Sequence, residues 1–443
     1  MKVNNWFNNK SAKNIDFLIL GGILLFCLIY RIIYFCVINE NMLFYNSESV
    51  LYFTSGIFDL YRTPIYPLII KFFESISKDN LVSNLIGFQQ VLSFLSIIPF
   101  FYFLRNTLKN RTIIIITTLI YACYPYLLKQ NMNINPESLC IVGSTFILYL
   151  FSLYIKKPQS YTAFCLGFFP FILIMLKPTY LIALCIIFLF FITRFLYYKN
   201  ERKILYWGMS GLFIAVLGVF GYSAMNKKCN GEFTLSKISL NNSLTNIVIS
   251  GAYKYGGDEE LISIVDSTKQ DGSYVSVFML NNQCVDSYKV ANEKFPENLV
   301  PSGDMEFCMS IPDTDNYSHE RLNKFVKQSQ YTKSYFKYVA KRLVYIFSTY
   351  NILLSLGLLF HSIMIFLLFL KYKKIYWILS FSILFIVGQL FTIAVGAIGD
   401  WGRLILPIYP FIILIFSSFV DLMVFSREKL VDTMQENSQN LSQ

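Results

Sequence analysis

Histidine is nearly missing from these 443 residues: the two present, His319 and His361, stand far apart and supply no metal cluster. The nine cysteines show no zinc spacing either. Acids are scarce, 27 against 38 lysines and arginines, for a formal net charge of +11. In a soluble chain that excess would suggest nucleic acid. Here many basic residues stand in short breaks between apolar runs, where they set membrane orientation, so a nucleic-acid partner is not expected. The deep parts of those runs are almost free of charge and no inverted repeat is evident, which tells against a flippase or transporter. Arg31 and Arg194 lie near helix ends, from which they can snorkel to the surface.

What the chain has in quantity is apolar surface, with 55% hydrophobic and 18% aromatic residues. A soluble protein would be near half apolar too, so the total decides little. Distribution decides: runs of about 18 to 25 apolar residues recur between charged breaks, the pattern of spanning helices. The fold class expected is an all-α polytopic membrane protein. Its first run, Ile15–Ile38, is too long for a signal peptide and lacks a small-residue cleavage site, so it is expected to stay as a helix.

Ten spans are predicted: Ile15–Ile38, Leu81–Leu104, Thr112–Leu128, Ser138–Ile155, Tyr161–Leu176, Thr179–Tyr197, Ile204–Met225, Leu343–Leu370, Ile375–Ile398 and Leu404–Phe425. The stretch Pro64–Ser77 is amphipathic enough to lie on the membrane surface, and could also dip into the bilayer. Breaks on one side all carry lysine or arginine, which predicts a plasma (bacterial inner) membrane protein with both termini cytoplasmic. Residues 1–225 then form an N-terminal membrane module whose first external loop is 39–80. Residues 226–342 form an external polar segment, 343–431 hold the last helices, and 432–443 read as a disordered tail. Six cysteines fall in or beside apolar runs as small buried hydrophobes. Cys229, Cys284 and Cys308 fall in the polar segment, where two could pair and one is left over.

The stretch Asn39–Pro67 organises the rest. It sets Glu48, Asp59 and Arg62 among tyrosines between membrane helices, where connections are ordinarily short. It reads either as an interfacial helix with acids facing water or as a catalytic rim at the membrane surface. The external helix ends also collect Lys129, Glu137, Lys177, Asp400 and Arg403, whereas the internal breaks hold hardly any acids. Arg62 and Arg403 sit in YRTPIYP and GRLILPIYP. Proline fixes the backbone there and would hold a guanidinium at a set depth, where its fork suits two phosphate oxygens. Asp59–Arg62 and Asp400–Arg403 pairs at one turn's spacing would instead be structural. Both accounts fit the residues.

These elements resemble the GT-C glycosyltransferases that use polyprenyl-phosphate sugars, among them protein O-mannosyltransferases and lipid A aminoarabinose transferases. ESVLY, Glu48 to Tyr52, is similar to that family's acidic D-E-x-x-Y or D-S-x-x-Y element, and RTPIYP to its R-x-P-x-Y-P. Tyr124-Pro125 and Pro136-Glu137 are similar to its proline and acid after the third helix, and Lys177-Pro178 to its basic-proline pair. Arg403, Leu406, Pro407 and Pro410 match its last external element. The likeness covers the first six predicted spans and the last two. Glu48 stands where the family has aspartate, the polar segment follows the seventh span instead of the last, and ten spans is fewer than many relatives have.

The resemblance implies an enzyme moving a sugar from a polyprenyl-phosphate donor to a lipid, glycan or protein acceptor on the external face. Displacement inverts the anomeric carbon. Glu48 is the expected base, with Asp59 and Glu137 as the other candidate carboxylates. Tyr52, Arg62, Tyr66, Lys177 and Arg403 are expected at the donor's lipid phosphate. No cofactor is implied, and a divalent metal is left open. A polysaccharide polymerase or O-antigen ligase is the rival enzyme. Against it stands the early acid-plus-RTPIYP loop.

Overall fold

The computed structural model describes residues 10–38, 52–53, 55–59, 62–231, 233–236, 252–255, 335–340, 377–396 and 404–424, with a few isolated positions besides. Everything described in regular structure is helical. The first span is α1 (Lys10–Ile38), and α2 (Ile65–Ile76) follows the candidate rim. At 1.5 Å per residue the 12 residues of α2 reach about 18 Å, short of the roughly 30 Å hydrocarbon layer. It presents Leu68, Phe72 and Ile76 along one exposed stripe and buries Tyr66, Pro67 and Ile70.

The second span is broken into α3 (Leu81–Leu95) and α4 (Ile97–Thr107). Pro99 cannot donate to the carbonyl of Leu95, and the chain is released there. Ser96 fills the gap, its hydroxyl reaching Ser93 O at 2.7 Å and the Tyr121 hydroxyl at 2.7 Å. Asn110 caps α5 (Arg111–Ala122) through bonds from the Thr112 and Ile113 N–H groups. The short α6 (Pro125–Gln130) continues the same span after Cys123. Next come α7 (Glu137–Lys156), α8 (Ser160–Leu176), α9 (Leu181–Tyr197), α10 (Arg202–Asn230), α11 (Trp377–Gly396) and α12 (Leu406–Val424), which opens in a 3₁₀ turn.

Eight described helices are long and apolar enough to cross a membrane, and α8 is a shorter apolar helix beside them. This is an all-α, multi-pass membrane protein. The expected span Leu343–Leu370 and most of the polar segment 226–342 lie outside the described residues. α10 continues past Met225, where the apolar pattern stops, to Asn230. Gly231 ends it in a left-handed conformation (φ 82°), donating to Lys227 O at 3.0 Å.

α7 is the most enclosed of the spans, whereas α1 and α10 leave broad apolar flanks such as Phe17, Leu18 and Phe26, or Tyr206, Phe213 and Phe220, for lipid. α8 and α10 pack with their backbones in contact. A Cβ on Gly167 would fall on the carbonyl oxygen of Gly208 and 2.9 Å from Leu212 N; one on Gly211 would meet Phe164 O and stand 3.0 Å from Phe168 N. Small residues are what allow two helices this close in a bilayer.

Two arginines depart from the expectation that they snorkel. Arg31 turns inward and donates to Gln90 O, Ser93 Oγ and Ala122 O at 3.3 to 3.4 Å. Arg194 is buried against Glu201, with Nε 3.0 Å from Oε2 and the Tyr198 ring centroid 4.3 Å from Cζ. Each finds acceptors inside, although the buried Nε of Arg31 has none among the described residues. The end of the bundle that holds Arg194 also has Asp16 against Arg105 (2.8 Å) and Arg111 (3.4 Å). There Asp421 of α12 accepts the backbone N–H groups of Lys109 (3.1 Å) and Asn110 (2.8 Å).

Candidate active site

The opposite end gathers the candidate rim. Asp59 accepts the backbone N–H of Arg62 at 3.0 Å, so its carboxylate shapes the turn into α2. The Arg62 side chain runs the other way, 7% exposed, with its guanidinium carbon 4.5 Å from the Tyr52 ring centroid. Tyr52 meets Tyr66 edge-on, ring centroids 5.0 Å apart. Nε and Nη2 of Arg62 are buried and have no hydrogen-bond partner among the described residues. Burying a guanidinium with donors unbonded is costly, and an anion is the kind of group that would offset that cost.

Behind this group lies a polar layer that the sequence reading missed. Tyr66 donates to Gln89 Oε1 at 2.8 Å, and Gln89 Nε2 donates to Asn131 O (3.0 Å) and Asn133 O (2.9 Å). Burial first, then Tyr52 and Glu137 nearby, push the Tyr66 phenol well above its usual range, so it stays a donor. Residues 130–140 are buried without a gap although the run NMNINPE reads as an exposed connection. Ser138 donates to Asn131 Oδ1 at 2.6 Å, and Asn133 and Asn135 both donate to Gln130 Oε1. The apolar-run criterion has no term for asparagines that satisfy one another.

Glu137 stands in the first turn of α7, where the helix end favours negative charge. Its Oε1 lies 2.9 Å from Lys177 Nζ, and both side chains are largely enclosed. Lys177 is extended, as the residue before Pro178 should be, and this aims its ammonium across to α7. The following 3₁₀ turn is held by Tyr180, which bonds Cys140 O (2.7 Å) and Ser144 (2.6 Å), and by Gln389 of α11, which donates to Thr179 O (3.2 Å).

Residues 61–222 match the family model of dolichyl-phosphate-mannose-protein mannosyltransferases. That stretch, about a third of the 443 residues, is similar to a sugar transferase domain of the GT-C type. It contains Arg62, Tyr66, Glu137 and Lys177. No curated protein sequence matches the chain.

Of the residues singled out from sequence, Tyr52, Arg62 and Tyr66 come together, and Glu137 pairs with Lys177 beside their polar layer. Asp59 belongs to the same loop but is spent on its backbone. Glu48 and Arg403 lie outside the described residues, as do Asp400, Cys284 and Cys308. The end of the GRLILPIYP element is described: Tyr409 stacks on Tyr124 at 4.3 Å and donates to Ile120 O. Among the described residues no three His, Cys, Asp or Glu side chains come together as a metal site would require.

Proposed function

We propose that this chain is an inverting glycosyltransferase that moves a sugar from a polyprenyl-phosphate donor to a cell-envelope acceptor on the external face of the membrane. The observation that carries the reading is the Arg62 guanidinium, buried against Tyr52 with two unpartnered donors, at the start of the segment similar to GT-C transferases. Its fork suits a lipid phosphate. The acceptor hydroxyl attacks the anomeric carbon, a carboxylate takes its proton, and the bond from that carbon to the phosphate oxygen breaks. Charge grows on the leaving phosphate, where Arg62 with Arg403 would stabilise it. Lys177, held by Glu137, supplies a third cation at the same end.

Glu48 is assigned as the base. Asp59 already holds the loop backbone and Glu137 already holds Lys177, so each has a structural task. The test uses purified protein in nanodiscs with a polyprenyl phosphate as probe. Arg62→Ala should lose most of the binding while the protein still assembles. Glu48→Gln should bind as wild type does and lose about 10²–10⁴-fold in transfer, the usual cost of removing a positioned base. Transfer by Glu48→Gln within tenfold of wild type would move the base to Asp59 or Glu137.

A further inference from the structure

Arg62 is aimed by its backbone, and besides Asp59 that backbone is held by the end of α10. Tyr222, Asn226 and Asn230 recur every four residues on the last turns of α10 and form one face. The Tyr222 hydroxyl donates to Ile57 O at 3.1 Å and reaches Arg62 O at 3.4 Å. Asn230 donates to Phe58 O at 2.9 Å, and the Phe58 ring lies 5.9 Å from that of Tyr222. Asn226, fully buried, reaches Asp59 O with Nδ2 at a long 3.5 Å. The same Nδ2 donates to Thr234 O at 2.8 Å. Thr234 stands just beyond the Gly231 turn, at the root of the polar segment. A single amide therefore joins the loop that carries Arg62 to the segment's first residues.

We propose that Tyr222, Asn226 and Asn230 are positioning residues that set the 57–62 loop for donor binding, and that Asn226 couples this loop to the root of the polar segment. The inference rests on reading Arg62 as the phosphate-binding group. None of the three touches the phosphate; they act through the carbonyls of the loop. Tyr222 and Asn230 hold the loop alone, whereas Asn226 holds both sides.

The test combines hydrogen exchange with binding, on the full chain in nanodiscs and with a polyprenyl phosphate as probe. Tyr222→Phe keeps the ring against Phe58 and removes only the hydroxyl, so it reports on position with packing kept. It should speed exchange across 55–63 and weaken binding about three- to tenfold, the range for one lost hydrogen bond, with the melting temperature little changed. Asn230→Ala should loosen 55–63 and leave 233–236 as in wild type. Asn226→Leu should loosen both stretches, and Asn226→Gln, which keeps a donor, should recover part of the binding. Unchanged exchange at 55–63 in Tyr222→Phe and Asn230→Ala would overturn the positioning role. Loosening of only one stretch in Asn226→Leu would overturn the coupling. If Arg62→Ala binds the probe as wild type does, the phosphate reading fails instead, and the exchange pattern still decides the positioning role.

Discussion

A residue's type was legible in the sequence, but its partner was not. Asp59 and Arg62 at a spacing of three read equally as an ion pair or as a site. In the structure Asp59 accepts the Arg62 backbone N–H, and the guanidinium is left to Tyr52. Glu137 and Lys177 were both singled out, but nothing forty residues apart announces a 2.9 Å contact. Their pairing makes a prediction. Lys177→Met would leave the Glu137 charge enclosed without the ammonium that neutralises it, a change that typically costs about 3–5 kcal/mol. Glu137→Gln together with Lys177→Met removes both charges and should restore part of that loss. Thermal unfolding in detergent should therefore rank the double variant above Lys177→Met. The reverse order would mean that the pair adds nothing to the fold.

Helices were the most legible feature, because a bilayer admits only segments that satisfy their own backbone. The expected boundaries fall close to the observed ones for α1, α7, α8 and α9. The end of α10 was missed because Asn226, Lys227 and Lys228 break the apolar pattern while the backbone remains helical. How helices touch was not legible either. Gly167, Gly208 and Gly211 signal a close approach only once it is known which helices are neighbours. Gly167→Ala should push α8 and α10 apart at a cost of about 1–3 kcal/mol, the usual range for overpacking. On the same α10, Gly221 has open space where a Cβ would go, so Gly221→Ala should be neutral or stabilising by up to roughly 1 kcal/mol. Equal melting temperatures for the two variants would contradict the backbone contact.

At the scale of the whole molecule, charge asymmetry predicts which face is external, and that prediction is open to direct labelling. Single cysteines introduced as Ser302→Cys and Lys373→Cys, in a background without reactive native thiols, should respond differently to a membrane-impermeant maleimide. In intact cells only the first should be marked. Labelling at 373 before lysis would invert the orientation and put the Arg62 end in the cytoplasm. One contact also bears on how the protein comes to be made. Asp421, in α12, accepts the N–H groups of Lys109 and Asn110, and Ser417 accepts from Thr117 at 2.8 Å. While the ribosome is still working on the middle of the chain, the turn before α5 has no such cap. The stretch similar to known transferases, 61–222, is thus complete as a text long before it is complete as an object. Its final arrangement waits for a helix synthesised some three hundred residues after the turn that the helix secures.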